Sequence, residues 1–251
     1  MYIHNLNPVF LSIGPLEIRY YGLVYFFGFL AAWMYFKKSN LGKNLFKKDE
    51  HTDDFLLYTL ISSIVSARIF YIIFYNLNSY ITNPIEILKF WHGGMSIHGG
   101  ILGGLLGIYL FAKKHNYNFL SLTDIVTLPL TLFLALGRIA NFINAELYGR
   151  IASVKWAVKF PNAEGYRHPS QIYESIKNFF IFFVLIYKSK KPFKTGELTS
   201  IFLILYSILR FFVEYVREPE HYILGLTMGQ FLSIFTFIIG IWLYRKVKQT
   251  I

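Results

Sequence analysis

Apolar runs long enough to cross a bilayer decide what this chain can become. A hydrocarbon core about 30 Å thick needs about 20 mostly apolar residues, at about 1.5 Å each in a helix. Stretches near that length occur at approximately 20–36, 54–75, 97–112, 121–143, 170–187, 198–216 and 225–244. The expectation is an all-α integral membrane protein of about seven transmembrane helices. Composition agrees: 55% of the 251 residues are hydrophobic and only 16% are charged, against about 25% charged in soluble proteins. No low-complexity linker, internal repeat or Gly/Ser-rich hinge divides the chain, so residues 1–251 read as a single polytopic domain. The opening segment Met1–Pro15 lacks the basic region and small-residue cleavage site of a signal peptide, and the first run is expected to stay as a span.

Seven spans put the two termini on opposite sides, and the basic residues say which is which. Lys37, Lys38, Lys43, Lys47, Lys48, Lys113, Lys114, Lys188, Lys190, Lys191, Lys194, Arg245, Lys246 and Lys248 fall on one side. Arg19, Lys89, Arg150, Lys155, Lys159, Arg167 and Arg217 fall on the other, half as many. The positive-inside rule places the richer side, with the carboxyl terminus, in the cytoplasm and the amino terminus outside. The net charge of +11 is thereby a matter of topology and anionic headgroups rather than nucleic acid. There is no cysteine, so any thiol in the chemistry must belong to a substrate.

Four basic residues remain inside spans: Arg68, Arg138, Lys177 and Arg210. An ionisable group at the bilayer centre costs about 2.5–3.5 kcal/mol on insertion scales, and such groups usually face a partner or a wet cavity. Arg210 shares a helical face with Tyr206 and Glu214, four residues to either side. Arg138 and Asn141 share a face of the fourth span, which ends at Asn144, Glu146 and the Gly149–Arg150 turn. Arg68, Tyr71 and Tyr75 repeat the pattern in the second span. Tyr21 opens the first span and His98 the third. All these groups lie toward the outer end of their spans, which implies a polar cavity in the outer half of the membrane. Each taken alone is equally well read as an ion pair between helices, such as Arg210 with Glu214 or Arg138 with Glu146. Lys177 stands alone in its span and reads as structural or interfacial, its stem snorkelling to the boundary.

The segment Trp91-His92-Gly93-Gly94-Met95-Ser96-Ile97-His98-Gly99-Gly100 sets two glycine pairs around His98. Its first part suggests irregular backbone lining a cavity. Gly99, Gly100, Gly103, Gly104 and Gly107 equally fit helix-packing positions of the small-xxx-small kind. Histidine's ordinary pKa near 6.5 makes this residue type a plausible proton acceptor; a bond to a loop carbonyl is the plainer alternative.

The run Gly137-Arg138-Ile139-Ala140-Asn141-Phe142-Ile143-Asn144-Ala145-Glu146-Leu147-Tyr148-Gly149-Arg150 closely resembles the signature of the phosphatidylglycerol–prolipoprotein diacylglyceryl transferases. Similar segments follow the family order along nearly the whole chain: Ser12-Ile13-Gly14, Arg19 to Leu23, Gly93 to Gly100, Arg167 to Glu174, Tyr206 to Arg217 and Met228 to Gln230. Two departures stand out: His92 occupies a place where an acidic or other polar residue is expected, and the outer segment between Gly149 and Arg167 is short.

The resemblance implies transfer of the diacylglyceryl group of phosphatidylglycerol to the lipobox cysteine of a prolipoprotein, as a thioether, with release of glycerol phosphate. It places the protein in a bacterial inner membrane, with its site toward the outer leaflet. The residues suit that chemistry. A departing phosphate calls for cations that bind it in two places, which arginine does; Arg138 and Arg210 are the candidates. A thiol of pKa near 8.5 needs a base or a positive field; His98 is the first candidate and Tyr21 the second. Asn141, Glu146, Gly149, Tyr206, Glu214 and Arg68 are then expected around the lipid headgroup. No cofactor or metal is called for. A transporter would carry matched broken helices in two halves, and a metal-dependent phosphatidyltransferase would carry clustered aspartates; neither pattern occurs in the sequence.

Overall fold

The computed structural model describes residues 1–14, 16–89, 93–219 and 222–249; Trp91 and His92 of the glycine segment lie outside the described residues. Helices form over each apolar stretch: α1 Tyr20–Lys38, α3 Asp49–Tyr75, α5 Ile97–His115, α6 Phe119–Ile143, α7 Ser170–Ser189, α8 Glu197–Val213 and α9 Met228–Gln249. Of these, α3, α6 and α9 are long and apolar enough to cross a membrane by length and composition. Short helices α2 (Asn40–Leu45) and α4 (Leu77–Thr82) and a 3-10 turn (Pro84–Leu88) fill the connections. Short strands also form, a departure from the all-helical expectation. Tyr2–Ile3 (β1) pairs in parallel with Val158–Lys159 (β4), Val9–Ile13 (β2) with Leu16–Arg19 (β3), and Tyr222–Ile223 (β5) with Leu226–Thr227 (β6), the last two pairs antiparallel.

The chain resolves into two compact units, one of residues 1–35 with 124–251 and one of residues 36–123. Each has a buried apolar core, with Phe55 and Phe111 in the smaller unit and Phe160, Ile181 and Leu198 in the larger, yet some helices also bury polar or small residues and turn apolar ones outward. On α7 the buried face carries Gln171, Glu174, Ser175, Lys177 and Asn178 beside Ile181 and Leu185, while Ile176, Phe180, Phe183 and Tyr187 face outward. On α5 the buried stripe runs from Gly99, Gly103 and Gly107 to Ile108, Phe111 and Ala112, with Ile101, Leu102, Leu105 and Leu106 exposed. Apolar side chains turned outward along long helices suit lipid, which offers no hydrophobic drive for helix association; close packing and polar contacts must supply it.

Helix ends are tied by side chains. Ser96 caps α5, accepting from Gly99 N at 3.4 Å, and Asn116 ends it in the left-handed conformation (φ 55°). Asp124 of α6 caps α8 from across the unit, accepting from Gly196 N at 2.6 Å and Thr199 N at 2.8 Å. At the same end Glu197 pairs with Lys188 at 3.0 Å and Lys248 at 3.2 Å, joining α7, α8 and α9.

Candidate active site

The larger unit gathers its intramembrane charges into one network. Helical spacing stacks Tyr206, Arg210 and Glu214 along α8, and α7 brings Glu174 and Lys177 against them. The Arg210 guanidinium is held at both ends: Nη1 donates to Glu174 Oε1, and Nη2 lies 2.8 Å from Glu214 Oε2. Lys177 Nζ donates to the other Glu174 oxygen at 2.7 Å and sits 4.1 Å from the centre of the Tyr206 ring. Glu174 is fully buried and Glu214 nearly so. Gly229, in the first turn of α9, makes room for this arrangement, since a Cβ there would lie 2.6 Å from the Glu214 carboxylate.

Arg217, just past α8, brings its Nε to 3.4 Å from Glu214 Oε2, and its backbone carbonyl accepts from Arg150 Nε at 2.8 Å. Burial first, then the neighbouring charges of Arg210 and Arg138, push the Arg217 guanidinium down to about 10. It therefore stays cationic at neutral pH. Arg138 reaches the cluster through its charge, which acts on Glu174 and Arg217, yet its guanidinium makes no hydrogen bond or ion pair among the described residues. Four cations, Arg138, Lys177, Arg210 and Arg217, thus face two carboxylates, Glu174 and Glu214, a surplus of two positive charges. Buried charge of one sign in excess is a binding site for the other sign.

Beside this cluster the chain between α6 and α7 is wound tightly. Asn141 Nδ2 donates to Glu146 Oε1 at 2.7 Å, and Glu146 N donates to Asn141 O at 3.0 Å. Ala145 and Leu147, on either side of Glu146, both hold φ at 57°. Left-handed non-glycine residues cost on the order of 1–3 kcal/mol each and persist where their surroundings hold them. Here Gln171 Nε2 donates to Glu146 O at 2.6 Å and Ser170 Oγ to Leu147 O at 3.0 Å. Buried Gly149 donates its N–H to His168 O at 2.9 Å. Tyr21 accepts from the Tyr25 hydroxyl at 3.3 Å, and Tyr25 in turn feels the charge of Glu146.

The smaller unit holds Arg68 and His98. Arg68 is buried and spends its guanidinium on carbonyls: Ile87 and Lys89 at 3.2 Å, Gly94 at 3.1 Å, and also Glu86 and Gly93. Those bonds gather residues 86–89 and 93–94 round one side chain, and Gly94, at φ 77° with Tyr71 and Arg68 against it, has no room for a Cβ. His98 is exposed in the first turn of α5.

Two expectations about single residues change. Lys177 is buried and paired rather than alone and snorkelling. Glu146 takes Asn141 as its partner rather than Arg138. Sequence reasoning passed over Glu174 and Arg217 as members of the cluster. The signal was present for Glu174: opposite charges at i and i+3 in an otherwise apolar helix announce a shared buried face. Arg217 has the same spacing to Glu214, but by count it falls in an outer loop, which hid it.

The profile of the family described as prolipoprotein diacylglyceryl transferase matches residues 8–245. A phosphatidylglycerol–prolipoprotein diacylglyceryl transferase of Rickettsia typhi is 43% identical over 260 residues, covering 99% of this chain and 100% of that protein. The protein of the same description from Rickettsia rickettsii is 44% identical over 255 residues, with 95% and 96% covered. Its counterpart from Ehrlichia canis is 42% identical over 255 residues, covering 97% of each.

Proposed function

This chain belongs to the prolipoprotein diacylglyceryl transferase family, and from that premise we propose how its residues carry the reaction. The protein is a transferase that moves the diacylglyceryl group of phosphatidylglycerol to a prolipoprotein, the first step of lipoprotein maturation. The acceptor is the lipobox cysteine thiol; a thioether forms and glycerol phosphate leaves. The chain works as one polytopic domain of seven spans in a bacterial inner membrane. Its amino terminus lies outside, its carboxyl terminus in the cytoplasm, and its polar groups face a cavity in the outer half.

The observation that carries this reading is the Arg138 guanidinium, without a hydrogen bond or ion pair among the described residues, near a cluster with two surplus positive charges. Arg138 and Arg210 bind the phosphate of the lipid and stabilise the charge that grows on it as the carbon–oxygen bond breaks. Asn141, Glu146, Gly149, Tyr206 and Glu214 position the headgroup around them. Arg68 serves the site by shaping the glycine segment. The thiol gives up its proton to His98, with Tyr21 as the alternative base. The positive end of α5 lies in the same turn as His98 and favours a thiolate there.

The test is transfer of labelled diacylglyceryl from phosphatidylglycerol to a lipobox peptide by the purified protein. Wild type is expected to label the cysteine peptide and not its serine counterpart, and Arg138→Ala to lose at least about 100-fold in rate while staying folded. Labelling of the serine peptide, or full activity in Arg138→Ala, defeats the reading.

A further inference from the structure

Arg210 is flanked by two carboxylates, and a guanidinium so enclosed would carry a net charge of the wrong sign for a phosphate. Two other cations correct this. Arg217 lies 3.4 Å from the Glu214 oxygen, and Lys177 lies 2.7 Å from the Glu174 oxygen that Arg210 leaves free. We propose that Lys177 is a positioning residue that occupies Glu174 and so keeps the arginine clamp electropositive enough to hold the departing phosphate. This inference rests on the transferase reading above.

Geometry and charge both support it. The Lys177 side chain is only 3% exposed. An ammonium so deep in an apolar helix is costly, whereas a methionine of similar length fills the same space without that cost. Nζ is fixed from two directions, by the Glu174 carboxylate and by the face of Tyr206. Glu174 reaches Arg210 with one oxygen and Lys177 with the other, so its charge is shared rather than spent wholly on Arg210. With Lys177 present, the six charged groups of the cluster sum to two positive charges; without it, to one.

The chemistry says where the difference is felt. The sulfur–carbon bond forms as the bond from the glyceryl carbon to the phosphate oxygen breaks, and the electron pair of that bond stays on the oxygen. The thiol proton goes to the base. The phosphate therefore passes from a singly charged diester to a monoester carrying one more negative charge. A clamp with surplus charge gains on the transition state and on glycerol phosphate more than on the bound lipid.

The experiment compares the inhibition constant of glycerol 1-phosphate with the KM for phosphatidylglycerol in the full-length enzyme. In Lys177→Met, inhibition is expected to weaken roughly tenfold or more, the scale of one uncompensated charge in a protein interior, while KM moves less. Lys177→Arg restores inhibition. So does the double variant Glu174→Gln/Lys177→Met, which removes one charge of each sign. A merely structural lysine lowers the active fraction and leaves both constants alone, and that result overturns the proposal. So does a double variant no better than Lys177→Met, or a failure of arginine to rescue. A wild type without transfer activity defeats the functional reading instead, which separates the two failures.

Discussion

Arg210 and Arg138 differ in what surrounds them, and a lysine in either place would differ again. Arg210 presents two nitrogens to two carboxylates on separate helices, a fork that one ammonium cannot reproduce. Arg210→Lys is therefore expected to cost about 100-fold in kcat, measured on the lipobox peptide. A second single-residue effect lies at the far end of the smaller unit. His115 stacks on Phe111 with ring centres 4.6 Å apart and lies equally close to His51, while Asp54 is 3.8 Å away. Burial first, then the charges of His51 and Lys114, hold its pKa below the ordinary histidine value, with Asp54 opposing them. The neutral ring is thus favoured in the folded state. Its contribution is fully present above about pH 6.5, the unfolded value, and is lost as pH falls through the lower folded value. Melting in detergent should show a lower Tm at pH 5.5 than at pH 7.5, with a shallower pH slope in His115→Phe.

At the scale of elements, the tightest joint is that of α3 with α5. A Cβ on Gly103 would run into the Ser62 carbonyl and the Ser66 side chain, and one on Gly107 into Ser62 and the Tyr58 carbonyl. Gly100 has Ala67 Cβ no nearer than 3.7 Å. Gly103→Leu is expected to force the helices apart at a cost of about 1–3 kcal/mol or more, whereas Gly100→Ala should be nearly neutral; thermal unfolding of the two variants side by side checks this. The glycine run of α5 had two readings in the sequence, cavity-lining backbone or helix packing. The structure divides it: Gly93 and Gly94 take positive φ in the segment bonded to Arg68, and Gly99, Gly103 and Gly107 pack.

For the whole molecule, the basic residues set a direction that can be read chemically, because the chain has no cysteine and an introduced one is the only thiol. Lys159 and Lys190 are both exposed and fall on opposite sides of the expected topology. A membrane-impermeant maleimide applied to intact cells should label Lys159→Cys at once and Lys190→Cys only after permeabilisation. Labelling of both, or of the second alone, defeats the orientation.

Residue type and order alone determined that the chain is helical and membrane-bound, because the length of an apolar run and the cost of charge in lipid are local properties. They also marked Arg138, Asn141, Tyr206, Arg210 and Glu214 through spacing and family resemblance. Which charges meet between helices was decided only by the tertiary structure. Pairing across helices depends on how α7 turns its face to α8, so Glu174, three residues from Lys177 on its own helix, also met Arg210 of α8. Arg217, a loop residue by count, keeps its guanidinium 3.4 Å from Glu214, three residues before it. Arg68 found its partners in carbonyls some twenty residues along the chain, because a buried guanidinium must fill its donors and the backbone of a folded segment was the nearest source of acceptors.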